Sequence, residues 1–240
     1  MENTMQSKAL FYQSIVALDR SVHASKRVVS SEQDLRFAQG SHLIPAVIDE
    51  FAMAAHRLPI VFAGSGEHLT PVFLVGRKPG ENTMVDAEGT WLGSYVPAYL
   101  RRYPFMIGEV EDRGPIVCVD ETSTLIGTEK GEALFTEDGE TAYLEDRIVF
   151  LNEYLDAAKR TKQFCAALAE HDLLVSADIS FNNENGSTSA LHGLLIVDEQ
   201  RFASLDDGAY LKLKSENIIA VIYAHLFSLR AVEQIREPTS

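Results

Sequence analysis

The sequence has little cysteine and tryptophan, and it lacks the spacings that mark many functional sites. Two cysteines and one tryptophan occur in 240 residues. Cys118 and Cys165 stand in strand-like and helix-like apolar surroundings, without the paired spacing of disulfide frameworks, zinc sites or haem attachment. We therefore expect two buried, inert thiols in a chain that holds no metal and no cofactor.

Long apolar runs are also missing. The longest nearly apolar run covers residues 218–229, which is too short for the roughly 20 residues that span a bilayer. The first residues show no basic stretch followed by an apolar core, so no secretory signal is expected. These absences predict a cytoplasmic protein without a membrane span, and they leave export by a signal-independent route open.

Positive charge does not balance the acidic residues in the second part of the chain. The net charge is −14, and residues 1–105 hold 10 basic and 10 acidic residues, whereas residues 106–240 hold 11 and 25. An acidic surface repels phosphate, so no nucleic-acid partner is expected. The most acidic stretch, residues 109–146, is predicted to contain a solvated, glycine-containing loop over residues 121–140 that favours solubility.

Turn signals and alternating apolar residues predict strands that pair as hairpins. Asn185-Gly186 is the strongest of the turn signals. The predicted strands cover residues 59–63, 71–76, 106–110, 116–119, 175–181 and 190–197, with 84–86 as an extension of the first pair.

Helical spacing of apolar residues predicts the remaining elements. The predicted helices cover residues 41–58 with Ser41 as N-cap, a short turn between Pro97 and Pro104, residues 141–171 with Thr141 as N-cap, and a C-terminal stripe through Ile218, Ile222 and His225. Segregated strands and helices favour an α+β fold over a doubly wound parallel sheet. We expect a mixed or antiparallel sheet packed with a long central helix and C-terminal helices. Residues 1–240 would form a single domain, with a weak internal boundary near 121–140.

No segment of the sequence spells out a reaction. The histidines form none of the close spacings typical of metal ligands, and no nucleophile motif is present. Gly64-Ser65-Gly66 precedes a strand instead of a helix, which favours a hairpin connection over a phosphate loop. Asp120-Glu121, at a strand end, are the best-placed carboxylates for general acid/base catalysis. The sequence does not identify catalytic residues.

Side chains that often take part in binding are most concentrated in residues 91–105, here called the 91–105 segment. It holds five aromatics, two prolines and the pair Arg101-Arg102. Aromatic and arginine side chains most often anchor binding, and arginine binds carboxylates bidentately. The candidate ligand- or partner-binding residues are Trp91, Tyr95, Arg101, Arg102, Tyr103 and His225.

The 91–105 segment and His225 can each have a structural role instead of a binding role. The 91–105 segment is also compatible with an aromatic mini-core beneath a proline-bounded helix, whose arginines pair with Glu109 or Glu111. His225 falls on an apolar helical stripe, where a core histidine bonded to a backbone carbonyl or to Tyr223 is the alternative to a ligand-binding group.

A series of short motifs runs in order through almost the whole chain. They are Phe11-Tyr12, Leu18-Asp19-Arg20 with His23, Pro45, Glu50-Phe51, Pro59-Ile60-Val61-Phe62, Pro71-Val72, Leu74 with Gly76, Glu81-Asn82, Trp91, Tyr95-Val96-Pro97-Ala98, Arg101-Arg102-Tyr103-Pro104-Phe105, Val119-Asp120-Glu121, Gly131-Glu132-Ala133-Leu134-Phe135, Val197-Asp198-Glu199 and Tyr223-Ala224-His225-Leu226. In this combination the chain resembles the SapC family of bacterial proteins, named after a surface-layer-associated protein. It does not resemble the peptide-transporter permease or the saposin of similar name.

The resemblance implies a link to bacterial surface layers and to gene neighbours such as TonB-dependent receptors, but it supplies no reaction. We expect a soluble accessory or binding protein of surface-layer or outer-membrane nutrient-uptake systems that binds a peptide, a protein partner or a small acidic ligand. One alternative is an enzyme or enzyme partner that modifies a peptide or aromatic substrate. In this enzyme, Arg101 or Arg102 would bind a carboxylate of the substrate, and His225 or Asp120 would act as the general acid or base. The other alternative is a structural surface-layer subunit.

Overall fold

The computed structural model describes residues 9–110, 114–182 and 186–237. Within these ranges the strands are β1 (Ile15–Ala17), β2 (Arg27–Val28), β3 (Leu43–Pro45), β4 (Ile60–Ala63), β5 (Thr70–Leu74), β6 (Phe105–Val110), β7 (Gly114–Asp120), β8 (Ile126–Gly127), β9 (Glu132–Ala133), β10 (Leu174–Asn182) and β11 (Thr188–Val197). The helices there are α1 (Arg20–His23), α2 (Phe51–Ala54), α3 (Ala98–Arg101), α4 (Ala142–Glu170), α5 (Glu199–Ala203), α6 (Asp207–Ser215) and α7 (Ile218–Ser228).

Antiparallel pairing joins these strands into sheets. One sheet has the order β10-β11-β4-β5-β3, a second β1-β7-β6 and a small third β8-β2-β9. The hairpin-built sheets, the long α4 and the C-terminal helices confirm the predicted α+β class. The predicted turn at Asn185-Gly186 falls partly outside the described residues.

Strands β4 and β5 separate two apolar cores. Ile60 lies opposite Phe73 and Phe62 lies opposite Pro71, which confirms the predicted pairing of residues 59–63 with 71–76. Successive strand residues point to opposite faces. Phe62 therefore enters the main core with α4 and α7, whereas Val61 enters a second core against β10 and β11.

Helix α4 links the main core to the β6–β7 hairpin. The Thr141 hydroxyl accepts a hydrogen bond from the Leu144 N–H, which confirms the predicted cap. Leu144 and Leu151 pack against the β6–β7 hairpin, and Phe164 and Leu168 enter the main core. Helix α4 therefore contacts both the main core and the β6–β7 hairpin. That residues 1–240 form a single domain stays a prediction.

The helix predicted over residues 41–58 is wrong for most of its length. Its first part is β3, in which Ile44 pairs with Phe73 of β5. Proline disfavours helical backbone in the preceding residue, so Pro45 keeps Ile44 extended. The helical part is limited to a single 3-10 turn over Ile48–Glu50 and the short α2.

Two smaller predictions also need correction. The strand expected at residues 84–86 is reduced to a single bridge between Val85 and Trp91. The acidic stretch 121–140 contains two short strands, since β8 and β9 pair with the two sides of β2. Backbone pairing therefore ties this stretch to the N-terminal part of the chain.

Candidate functional site

The 91–105 segment is folded inward over most of its length. Trp91 and Tyr103 are buried, and the Trp91 indole Nε1 has no hydrogen-bond partner among the described residues. The short helix α3 follows Pro97, as predicted. Leu92 is the large apolar side chain that the segment exposes, with 51% of its surface accessible. The segment therefore offers little aromatic surface to a partner.

The buried carboxylate of Glu50 organises the start of α3. Its Oε1 accepts hydrogen bonds from the Tyr95 hydroxyl at 2.7 Å and from the Ala98 N–H at 2.6 Å, and its Oε2 accepts one from the Val47 N–H at 3.1 Å. Burial raises the pKa of Glu50, and these hydrogen bonds oppose the shift. In the sequence analysis Glu50 is part of a family motif, and its structural role was not predicted. The sequence signal was an acidic residue within an apolar, helix-like stretch, which indicates a buried carboxylate with hydrogen-bond partners.

Arg101 is fixed by contacts within the same region. Its Nε donates to the Val96 carbonyl at 3.0 Å, and its guanidinium lies 4.9 Å from the Phe150 ring centroid and 5.8 Å from that of Tyr95. Its charge also opposes the rise in the pKa of Glu50. These contacts orient Arg101 along α4 instead of leaving it free.

Arg102 lies among tyrosine rings. Its guanidinium carbon is 4.0 Å from the ring centroid of Tyr99, 4.7 Å from that of Tyr154 and 5.6 Å from that of Tyr12. Its Nε is buried without a hydrogen-bond partner. Burial would lower the pKa of Arg102, but the tyrosine hydroxyls outweigh it and raise the pKa. Cation–π contact therefore holds this charge, and no described carboxylate forms an ion pair with it.

Tyr103 belongs to the surroundings of the fully buried Asp120. The Asp120 carboxylate accepts hydrogen bonds from the N–H groups of Gln13 at 2.9 Å and Ser14 at 3.0 Å, and from the Thr122 hydroxyl at 2.7 Å. The Tyr103 hydroxyl lies 3.4 Å away. Burial acts to raise the pKa of Asp120, but the hydrogen bonds lower it overall. This carboxylate fastens the N-terminal segment to the end of β7.

His225 is a core residue in different surroundings. Its side chain has no exposed surface, its ring centroid is 5.0 Å from that of Phe62, and its Nε2 accepts a hydrogen bond from the Val197 N–H at 3.0 Å. Burial lowers the pKa of His225 to about 4, and the backbone of Ile60 opposes this only in part. The imidazole is therefore neutral, and the partner of its Nε2 is the Val197 N–H and not Tyr223.

These contacts separate the predicted residues into two groups. Tyr95, Arg101, Arg102 and Tyr103 lie in or beside α3, whereas His225 lies under β4 and β11. Among the described residues, no hydrogen bond, ion pair or ring contact joins either arginine to His225 or Asp120. The acid/base arrangement of the enzyme alternative is not assembled by these contacts.

A row of four aromatic rings, here called the aromatic strip, runs from Tyr210 on α6 across the buried Phe202 of α5 to Tyr223 and Phe227, which are exposed on α7. Ring centroids are 6.5 Å apart for Tyr210 and Phe202, 5.6 Å for Phe202 and Tyr223, and 6.2 Å for Tyr223 and Phe227. Phe227 is 66% exposed and Tyr223 is 45% exposed. The signal for this surface was the spacing of Tyr223 and Phe227, one helical turn apart and away from the stripe of Ile218 and Ile222.

A hollow beside Phe227, here called the α7 hollow, adjoins this strip. Its volume is about 410 Å³. Its lining residues are Ala52, Ala55, His56, Phe227, Arg230, Ala231 and Gln234. This described lining includes basic side chains and no carboxylate, in a chain whose net charge is −14.

A larger depression, here called the α4–α7 groove, lies between α4 and the beginning of α7. Its volume is about 730 Å³. Phe164 and Ala167 of α4 and Ile218 and Val221 of α7 supply its apolar floor. The sequence gives no sign of this groove, because helices distant in the chain form its two walls.

Within the described residues, no group of histidine, cysteine and acidic side chains is arranged to hold a metal ion. Across the same ranges, no helix has the length and apolar character that a membrane span requires. Cys118 and Cys165 are free and buried, as expected, and burial raises the pKa of Cys165 to about 12.

The fold and these surfaces define an α+β protein with an inward-folded aromatic segment and an exposed aromatic helix face. A family model described as SapC matches residues 18–235. Because the match covers nearly the whole chain, the protein belongs to the SapC family, which confirms the resemblance of its motifs. No curated protein and no solved structure matches the chain.

Proposed function

We propose that this protein is an accessory protein of bacterial surface-layer or nutrient-uptake systems that binds a protein partner through the aromatic strip. The observation that carries the proposal is the exposure of Phe227 and Tyr223 side by side on α7. Water-exposed aromatic rings are unfavourable, and contiguous ones mark interaction surfaces. The proposed role requires no reaction.

The 91–105 segment has a different part in this proposal. Its arginines and tyrosines contact Glu50, Asp120 and one another, so these groups shape the fold from inside. Aromatic anchors contribute to affinity when a partner can bury them. The proposal therefore assigns binding to α7, where the Tyr223 and Phe227 rings are open to a partner.

The α7 hollow suggests the chemistry of the partner. Arg230 and His56 are exposed at its lining, and no carboxylate lines it. An apolar side chain of the partner would enter the hollow beside Phe227, and a carboxylate next to it would meet Arg230. Such complementary charges favour fast and selective association. The fitting partner is a protein segment that carries an apolar side chain beside a carboxylate.

Affinity capture from the native host tests this function. The wild-type protein, Phe227→Ala, Tyr223→Ala and the control Val149→Ala would each serve as bait. Val149 is 58% exposed on α4 and lies outside the strip and the hollow. Truncating an aromatic anchor costs about 2 kcal/mol of binding free energy, or roughly 30-fold in affinity.

The proposal expects one or more proteins captured by wild type and by Val149→Ala, and lost from both aromatic variants. Purified candidates should then bind wild type directly, more weakly when Arg230→Glu reverses the charge at the hollow. Identical profiles for all four baits would contradict the proposed site. A partner that is lost from a further bait, Leu92→Ala, and kept by the two aromatic variants would instead assign binding to the 91–105 segment.

A further inference from the structure

The α4–α7 groove has the dimensions of a small-molecule site. Its volume of about 730 Å³ falls in the range of about 300–1,000 Å³ that ligand pockets occupy. The floor from Phe164, Ala167, Ile218 and Val221 is apolar, so an apolar body would be desolvated there. The groove shares none of its lining residues with the α7 hollow, and this inference does not depend on the proposed partner site.

The charges around the groove are unequal. Asp49, Arg160, Glu170 and Glu216 line it, and Lys212 lies just outside. Arg160 bonds Asp49 at 2.6 Å, and Lys212 bonds Glu170 at 2.7 Å. Glu216 forms no ion pair with any described residue, although Lys212 is near enough to feel its charge. The rim therefore carries one carboxylate in excess of its cations.

We propose that the α4–α7 groove binds a small amphipathic cation, a molecule with an apolar body and a protonated amine. The apolar body would lie on the floor against Phe164 and Val221. The ammonium would be placed at the Glu216 end, where the unpaired carboxylate accepts it. An anionic ligand of the same shape would meet this carboxylate and be repelled.

Titrations of the full-length, isotope-labelled protein test the site by nuclear magnetic resonance. The probes are phenethylamine, its neutral analogue phenethyl alcohol and its anionic analogue hydrocinnamate. The site predicts that phenethylamine shifts the amide signals of Ala167, Ile218 and Val221, with binding order amine, alcohol, carboxylate. Glu216→Gln should weaken phenethylamine by about two- to fivefold, the usual range for an exposed charge pair, and leave the alcohol unchanged.

Matched variants separate the site from general effects. Ala166→Phe places a ring into the groove from its exposed wall and should abolish the shifts, whereas Ala169→Phe, one turn further along α4 and outside the lining, should not. Glu153→Gln is the charge control for Glu216→Gln. If Ala166→Phe does not fold, Gln163→Trp blocks the same wall. No shifts in the groove, equal binding of all three probes, or preference for hydrocinnamate would overturn the proposal.

Discussion

The 91–105 segment and helix α7 use aromatic side chains in opposite ways. The segment has the richer composition, yet Trp91 and Tyr103 are buried and Tyr95 bonds Glu50. Helix α7 lies in the longest apolar run and holds fewer aromatic and arginine residues, yet Phe227 and Tyr223 face solvent. Residue type indicates what a side chain can bind. Whether that side chain is exposed depends on the hydrogen-bond and packing contacts that it makes inside the fold. Substitutions in the segment should therefore affect stability, and substitutions on α7 should affect association.

The largest effect on stability is expected at Glu50. Glu50→Ala leaves the Ala98 N–H and the Tyr95 hydroxyl without their acceptor inside the protein, which costs about 3–5 kcal/mol. Urea denaturation with Asp49→Ala as control measures this difference. The control removes an exposed ion pair with Arg160 and should cost less than about 1 kcal/mol. Equal effects of the two substitutions would show that Glu50 is not an anchor of α3.

The second effect depends on pH and concerns His225. The pKa of His225 falls from its ordinary value of 6.5 to about 4 in the folded protein. The unfolded chain therefore takes up the proton first, so stability is complete above about pH 6.5 and falls as the pH drops toward 4. The loss at pH 5 is about 2 kcal/mol.

Urea denaturation at pH 7 and pH 5 checks this linkage. His225→Gln, which can still accept the Val197 N–H, should remove this part of the pH dependence, whereas the exposed His68→Gln should keep it. A His225 ring that titrates near its ordinary pKa in nuclear magnetic resonance spectra would contradict the buried, neutral state.

A third effect is expected at Arg102. Arg102→Met keeps an apolar side chain between Tyr99 and Tyr154 and removes the charge, so the loss of cation–π contact should cost about 1 kcal/mol. Arg57→Met, at an exposed position, is the control in denaturation experiments. Unchanged stability together with lost partner binding would assign Arg102 to recognition and break the contrast between the two regions.

The smallest effect on stability is expected at Phe227. Because its ring is largely exposed, Phe227→Ala should change the free energy of unfolding by less than about 0.5 kcal/mol. Thermal and urea denaturation beside the affinity measurement separate the two properties. A loss of several kcal/mol would mean that the strip supports the fold of α7 and is not a free surface.

The parts of the fold that follow local rules were predictable from the sequence. The Thr141 cap, the β4–β5 pair and the β10–β11 pair depend on nearby residues and were predicted with small errors in their ends. The helix over residues 41–58 was wrong because Pro45 keeps Ile44 extended and because Ile44 pairs with Phe73, which is distant in the sequence. The inward orientation of the 91–105 segment was not predictable for the same reason, since Glu50 lies far from Tyr95 and Ala98 in sequence.

Site-specific photo-crosslinking in the native host compares the two regions most directly. A benzophenone amino acid would replace Phe227 in one protein and Leu92, the exposed side chain of the 91–105 segment, in another. Both positions accept a large side chain without disturbing a buried contact. We predict a discrete crosslinked partner from position 227 and none from position 92. A partner captured from position 92 and not from 227 would contradict the assignment of binding to helix α7.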